Sequence, residues 1–353
     1  MTGGGTGGHV LPLLAVAEEL RGRGHEVVFI GTRAGLEARL VPQKGFRLEF
    51  LEIGGLKGVG MRRALWTLWQ LPTSTLRAIR WMLQWSPTAV FSMGGYVAGP
   101  AVIAALLLRI PVVAMEPNAV PGMTNLRLGQ YVEKTLLGFA EAASRFPPGR
   151  TEVTGLPVRE EFFAVPARPA GEVFTVLITG GSRGARTLNQ AARESWPMFR
   201  AAGARIRIVH QAGADGEADL ARDFAGSGVD GEVVAFVDDM PRAFGEADLV
   251  VSRSGAGAVF ELAAAGKPAL LAPYPYATDQ HQLRNAEVFA RAGAGQVILD
   301  REMNGKSLFD AVSALAADRP RLERMSAAAR RMARRGAARR AAELLEQLAK
   351  NKV

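Results

Sequence analysis

Short β-branched runs alternate with helix-length stretches along almost the whole 353-residue chain, and few folds accept that pattern. Strand–helix–strand repetition marks parallel α/β sheets. In the first half, residues 26–30, 89–91, 111–114 and 134–137 read as strands; in the second, 174–178, 206–209, 232–235 and 249–251 do the same. Each half carries its own glycine-rich loop, Gly3-Gly4-Gly5-Thr6-Gly7-Gly8 and Gly180-Gly181-Ser182-Arg183-Gly184-Ala185. Gly155 to Arg159, with Pro166 and Pro169 beyond it, is the best linker candidate. The expected architecture is two Rossmann-like, parallel-sheet halves facing a cleft. Residues 1–157 form the N-terminal domain and 158–335 the C-terminal domain, with a helix at about 336–353 free to pack back on the first.

The segment from Ser252 to Gln282 is chemically the most specific. Residues 249–251 read as a strand, Ser252-Arg253-Ser254-Gly255-Ala256-Gly257 as a glycine turn, 258–265 as a helix and 269–272 as the next strand. Small residues let backbone N–H groups approach a ligand, and a helix N-terminus adds partial positive charge suited to a diphosphate. Glu261, in the opening turns of that helix, suits the two hydroxyls of a ribose. Gln282 offers an amide that both donates and accepts, fit for a sugar. Together they read as a nucleotide-sugar site; an ordinary strand–helix–strand crossover is the alternative.

Other positions support a site at the sheet edges. His9 stands where a helix begins after the first loop, and its ordinary pKa of about 6.5 suits a general base; a helix-capping or structural histidine is the alternative. Ser92 to Tyr96, Glu116-Pro117-Asn118 and Pro121 to Asn125 follow strands, where open parallel sheets bind ligands. They are candidate walls for an acceptor, with turn and cap roles for Asn118 and Asn125 equally open. Ser182 and nearby amides could hold a phosphate, and Arg159 and Arg183 could offset its charge. Asp238-Asp239 reads as a helix cap. No His, Asp and Glu cluster has metal-ligand spacing, and the absence of cysteine fits a reducing cytoplasm.

The net charge of +9 is concentrated: residues 56–85 carry +5, residues 318–353 carry +7, and the remainder sums to −3. Residues 56–85 also hold four of the five tryptophans, Trp66, Trp69, Trp81 and Trp85, in pairs spaced to share a helical face. Basic aromatic helices suit anionic lipid headgroups; burial of these tryptophans in the core is the alternative. The longest apolar run, 97–108, is shorter than the roughly 20 residues of a membrane span and reads as a buried helix. Charge alone permits nucleic-acid binding, but no recognition motif supports it.

Gly4 to His9, Met93-Gly94-Gly95-Tyr96, Gly180 to Arg186, Phe236-Val237-Asp238-Asp239-Met240 and Arg253-Ser254-Gly255-Ala256 resemble the motifs of the bacterial peptidoglycan glycosyltransferases that make lipid II. The resemblance runs from residue 2 to about 300. It implies a GT-B fold and inverting transfer of N-acetylglucosamine from UDP-N-acetylglucosamine to undecaprenyl-diphospho-N-acetylmuramoyl-pentapeptide. It implies peripheral attachment to the cytoplasmic face of the inner membrane, which residues 56–85 would mediate. No bound cofactor is expected, and divalent-ion stimulation stays open. Carried over residue by residue, the donor-contacting positions are Thr6, Gly7, Gly8, Asn118, Arg159, Ser182, Val237, Ala256, Gly257, Ala258, Val259, Phe260, Glu261 and Gln282. His9 is the favoured catalytic base, with Glu116 next. Met115 and Pro117 depart from the family's His and Gln, Leu156 from its Asn, and His281 from its Gln.

Rival readings are a UDP-N-acetylglucosamine epimerase, an NADP-dependent oxidoreductase built on Gly3, Gly5, Gly8 and Arg33, and a non-catalytic membrane adaptor. The family also has a strand before its first glycine loop, whereas only Met1 and Thr2 precede Gly3 here. The expectation is a natural start further upstream and, for this sequence, an N-terminal half of poor stability beside a sound C-terminal half.

Overall fold

A computed structural model describes residues 1–4, 7–54, 61–169, 171–181, 183–214 and 216–350, with the backbone alone at 7 and 61–68. Contacts divide the chain into two compact units, Met1–Val158 with Arg334–Val353, and Arg159–Ala333.

The N-terminal unit contains, in chain order, α1 (Gly7–Gly22), β1 (Val28–Gly31), α2 (Glu37–Gln43), β2 (Arg47–Phe50), α3 (Met61–Trp85) and β3 (Val90–Ser92). After these come α4 (Gly95–Leu107), β4 (Val112–Glu116), α5 (Met123–Leu128), β5 (Lys134–Leu137) and β6 (Thr151–Val153). All pairings are parallel: β1 pairs with β2, and β3-β4-β5-β6 form a separate four-stranded sheet. Among the described residues the Met1-Thr2 segment joins the two: the Met1 carbonyl accepts from Ile30 N–H at 2.9 Å, and Thr2 bridges Ile30 on one side and Ser92 on the other. The Thr2 N–H donates to the Phe91 carbonyl at 2.9 Å, and its carbonyl accepts from Met93 N–H at 2.9 Å. Beside this bridge lies a cavity of about 400 Å³ lined by Met1, Val28, Met82, Trp85, Val90 and Phe91 among others. The α4 helix is apolar all round and buried from Val97 to Ala105 except at Gly99 and Ile103, as a helix enclosed by protein must be.

The C-terminal unit contains α6 (Glu160–Phe163), β7 (Phe174–Thr179), α7 (Arg186–Ala201), β8 (Ile206–Gln211), α8 (Glu217–Ala225), β9 (Asp230–Val234) and α9 (Met240–Glu246). Next are β10 (Leu249–Ser252), α10 (Ala256–Ala265), β11 (Ala269–Leu271), α11 (His281–Arg291), β12 (Gly295–Val297), α12 (Gly305–Ala316) and α13 (Arg319–Met332). Its six strands form one parallel sheet in the order β12-β11-β10-β7-β8-β9. The chain order reverses between β7 and β10, so the loops leaving these neighbours part to opposite sides and open a crevice at their carboxyl ends. One apolar cluster runs under the sheet through Val176, Ile178, Leu188, Trp196, Ile208 and Val251. The last described element is α14 (Ala337–Lys350), which belongs to the N-terminal unit. There Arg340 pairs with Glu152 at 2.6 Å and Glu346 with Arg23 at 3.1 Å.

The sequence pattern misses β2, β6 and β12. β2 and β6 are short and partly exposed, and β12 contains a glycine, so none presents the continuous apolar run that marks a buried parallel strand.

Candidate active site

In the C-terminal unit both glycine turns meet at the reversal point. The first follows β7, where Gly184 has φ +70° and an added Cβ would lie 1.9 Å from the Ala212 carbonyl oxygen, so only glycine fits. Gln211, buried at the end of β8, ties the neighbouring segments together. Its Nε2 donates to Thr179 Oγ1 at 3.2 Å and the Gly181 carbonyl at 2.9 Å, while its Oε1 accepts from Val237 N–H at 2.9 Å. Sequence reasoning missed Gln211, because nothing but its place at a strand end distinguishes it. The second turn follows β10 and delivers Gly255 as the N-cap of α10. Asn285, fully buried, donates to the Ser254 carbonyl at 3.2 Å, and Ser254 Oγ donates to the Gln282 carbonyl at 2.8 Å. The helix entrance and the Gln282 segment are thus one assembly.

The α10 helix begins two residues before the expected 258, at Ala256, which puts Glu261 in its second turn. Val259 and Phe260 are 1% and 6% exposed, with their side chains in the core. Gly257, Ala258 and Glu261 keep partial exposure. Burial pushes the Glu261 carboxyl from 4.5 up to about 7, with the Arg159 guanidinium opposing the shift. Arg159 itself caps α6 and lies 4.9 Å from the centre of the Phe162 ring. Gln282 Oε1 accepts from Tyr274 N–H at 3.0 Å, which fixes the amide orientation and leaves Nε2 as its remaining donor. Asp239 caps α9 by accepting from Arg242 N–H at 3.0 Å, as its position suggested. Thr6 and Ser182, both expected to contact the donor, lie outside the described residues.

In the N-terminal unit, Gly7 and Gly8 open α1 and His9 is its third residue, partly buried. Glu37, buried beneath the first loop, accepts from Thr32 N–H at 3.0 Å and Thr32 Oγ1 at 2.8 Å. A second buried carboxylate, Glu116, organises the loop after β4. Its Oε1 accepts from Asn118 N–H at 2.9 Å and Asn118 Nδ2 at 3.3 Å. Its Oε2 accepts from Gly122 N–H at 3.0 Å and Asn125 Nδ2 at 2.9 Å. Burial raises its pKa, and these donors work against that rise. Asn125 is neither exposed nor a cap: it is 5% exposed and also donates to the Met115 carbonyl at 2.9 Å. It lies against the β3 turn, where Gly94 has φ +72° and a Cβ would stand 2.5 Å from Asn125 Oδ1. The loops after β3 and β4 are therefore locked together through Asn125.

The tryptophan pairs divide. Trp81 and Trp85 stack at 5.7 Å with 10° between their planes and pack on the core beside Met82. Trp69 is 74% exposed, and Leu76 and Leu83 are each 65% exposed. Their seven-residue spacing places them along one outward face of α3. Residues 55–60, Lys57 included, lie outside the described residues, as do the side chains of Arg62, Arg63 and Trp66. No helix among the described residues is long and apolar enough to cross a membrane, and none of their His, Asp and Glu side chains form a metal-binding group.

Family models decide where this chain belongs. The glycosyltransferase family 28 N-terminal domain matches residues 1–137, and the family's C-terminal domain matches residues 175–345. The chain belongs to glycosyltransferase family 28. It is 55% identical over 350 residues to the UDP-N-acetylglucosamine–N-acetylmuramyl-(pentapeptide) pyrophosphoryl-undecaprenol N-acetylglucosamine transferase of Solibacter usitatus, covering 99% of this chain and 96% of that one. The protein of the same name from Halorhodospira halophila is 42% identical, with 98% and 97% covered. The crystal structure of Acinetobacter baumannii MurG superposes with a TM-score of 0.82 at 32% identity, covering 98% of each chain. The fold is GT-B, two Rossmann-like parallel-sheet domains.

Proposed function

We propose that this glycosyltransferase moves N-acetylglucosamine from UDP-N-acetylglucosamine to the C4 hydroxyl of lipid-linked N-acetylmuramoyl-pentapeptide, the step from lipid I to lipid II in peptidoglycan synthesis. The observation that carries this reading is the 55% identity, over 99% of the chain, to a relative named for that transfer. The reversal-point crevice of the C-terminal unit supports it, with a helix N-terminus for the diphosphate, Glu261 for the ribose and Gln282 for the sugar.

The reaction is a single displacement. The acceptor C4 oxygen bonds to the anomeric carbon as the bond to UDP breaks on the opposite face, so the configuration inverts and the electron pair leaves with UDP. His9 takes the hydroxyl proton. Glu116 is the second candidate base, and its oxygens already accept four hydrogen bonds that hold the Asn118 loop. Arg159, Ser182 and the amides at the α10 entrance stabilise the departing diphosphate, a contribution of several kcal/mol in comparable sites. Val237, Thr6, Gly7, Gly8 and Asn118 complete the donor contacts. The outward face of α3, with Trp69, Leu76 and Leu83 beside exposed Arg77 and Arg80, rests on the anionic cytoplasmic surface of the inner membrane.

The deciding experiment incubates the protein with UDP-N-acetylglucosamine and a lipid-linked muramoyl-pentapeptide, following UDP release and the mass of the lipid product. Acceptor-dependent UDP release with a disaccharide product is expected. Conversion of the donor to its 2-epimer without acceptor, or no turnover with either substrate, would overturn the reading.

A further inference from the structure

We propose that Arg253 and Asp300 are positioning residues for the donor sugar, acting through the 272–274 segment on the side-chain amide of Gln282. The inference rests on the reading of Gln282 as the group that contacts the sugar.

Arg253 stands in the glycine turn at the entrance to α10, where a cation would be expected to face the diphosphate. Its guanidinium is instead engaged with protein. Nη1 donates to Asp300 Oδ1 at 2.5 Å and to the carbonyls of Ala272 at 3.0 Å and Pro273 at 3.4 Å. Its central carbon also lies 5.7 Å from the centre of the Tyr274 ring. Asp300 is held in turn by Thr187 Oγ1, which donates to Oδ2 at 3.1 Å. The pair is largely shielded, at 14% and 19% side-chain exposure, so a charge-assisted bond is stronger here than on an open surface.

The held segment carries the next link. Tyr274 N–H follows the Pro273 carbonyl directly, and it is the donor that Gln282 Oε1 accepts. A backbone N–H can only donate, so the amide oxygen must face it and the NH₂ group becomes the face available to a ligand. Moving the 272–274 backbone would free the amide to turn and would exchange donor for acceptor at the sugar.

The backbone between the two ends points the same way. Asp279 and Gln280 are consecutive non-glycine residues with φ +52° and +53°. Left-handed backbone at such residues is strained and persists where surrounding contacts over-determine it. Here Ala277 N–H donates to the Tyr274 carbonyl, Gln280 N–H to that of Ala277, and His281 Nδ1 lies 2.7 Å from the Thr278 carbonyl. Ser254 fastens the far end through the Gln282 carbonyl. The strained loop is thus fixed to the glycine turn at both ends, which a brace serving only the fold would not require.

The test is calorimetric binding of UDP and of UDP-N-acetylglucosamine to the full-length protein and to Asp300→Asn, Arg253→Lys, Gln282→Ala and the Asp300→Asn/Gln282→Ala double variant. Asp300→Asn should weaken UDP-N-acetylglucosamine by about fivefold to tenfold and leave UDP affinity unchanged. The double variant should bind no more weakly than Gln282→Ala alone, since both changes remove one contact. Thr187→Val, a milder change that leaves the ion pair in place, should move sugar binding in the same direction by less. Equal losses for UDP and UDP-N-acetylglucosamine, or fully additive losses in the double variant, would reduce the pair to a fold brace and overturn the proposal. If Gln282→Ala alone leaves the sugar contribution intact, the assignment of Gln282 fails and takes this route with it, an outcome distinct from additivity.

Discussion

In the C-terminal unit six parallel strands run unbroken from β12 to β9, whereas the described strands of the N-terminal unit fall into a pair and a quartet joined through Met1 and Thr2. The polar groups under their loops differ as well. The C-terminal turns are tied by neutral amides, Gln211 and Asn285, and by the Arg253–Asp300 pair. The N-terminal turns are tied by the buried carboxylates Glu37 and Glu116, the latter together with the Asn125 amide that donates to it. A continuous sheet positions its strand ends by itself, so its loops need only local pins. Where the sheet is joined through so short a segment, a buried carboxylate accepting several hydrogen bonds does more of the work of fixing loop shape. The function proposed above divides in the same way, with the base His9 and the exposed face of α3 in the N-terminal unit and Glu261 and Gln282 in the C-terminal one.

The largest expected effect tests that division at His9. His9→Ala should lower turnover at least ~100-fold while donor affinity stays nearly intact, because the base acts in the transition state and not in donor binding. Single-turnover rates beside calorimetric donor binding would show it. An equal loss in both would erase the distinction between the units, and undiminished turnover would move the base to Glu116.

The mirror-image change is Glu261→Ala. It should weaken UDP binding by about 2 kcal/mol, roughly 30-fold, as for a lost hydrogen bond to a charged group. Unchanged UDP affinity in a folded variant would remove Glu261 from the ribose.

Membrane attachment should belong to one unit only. Replacing Arg77 and Arg80 with Gln should weaken partitioning onto anionic vesicles by roughly 1 kcal/mol per cation. The same changes should leave soluble donor binding untouched. Vesicle binding that persists at the same salt would make the outward face of α3 structural.

Glu261 also sets a pH dependence for the C-terminal unit. Burial pushes its carboxyl up to about 7, and the ionised form accepts far more strongly from ribose hydroxyls than the neutral one. Affinity for UDP-N-acetylglucosamine, whose diphosphate does not titrate in this range, should rise about tenfold from pH 6 to pH 8. The folding contribution has the opposite sign. A carboxyl with a raised folded pKa favours the fold below 4.5 and loses that contribution as pH rises through about 7. Glu261→Gln should flatten both curves; a steep binding curve in that variant would assign the titration elsewhere.

These tests fall on residues that were unequally legible in the sequence. The glycine turns, the helix after β10 and Glu261 could be read because each needs a residue type at a fixed offset: glycine at a tight turn, small residues at a helix entrance. The alternation of apolar runs likewise exposed most of the parallel strands. Gln211, Asn285 and the Glu37–Thr32 contact could not be read, since their partners are brought together by the sheet and not by spacing along the chain. Glu116 was visible as a candidate base, but its four donors were not, and they bear on what it can do. For the tryptophans, periodicity put Trp81 and Trp85 on one face, as the structure has them, yet could not say which face is buried: these two turn inward and Trp69 outward.

The smallest expected effect concerns the joint between the two N-terminal sheets. Thr2 is 1% exposed, and its Oγ1 is buried with no protein partner among the described residues, although its backbone N–H and carbonyl are bonded to Phe91 and Met93 along β3. Burying a hydroxyl without a hydrogen bond costs on the order of 1–3 kcal/mol. Valine has nearly the same shape, suits an extended backbone and carries no polar group. Thr2→Val should therefore stabilise the N-terminal unit by about 1 kcal/mol, raising its melting transition by roughly 2–4 °C for a unit of this size. The transition of the C-terminal unit, with its unbroken sheet, should stay where it is. Two resolved transitions in a calorimetric scan, only the first of them shifted upward, would support the contrast between a bridged and a continuous sheet. A downward shift would show that the Thr2 hydroxyl is bonded after all, and movement of both transitions together would show that the two units unfold as one.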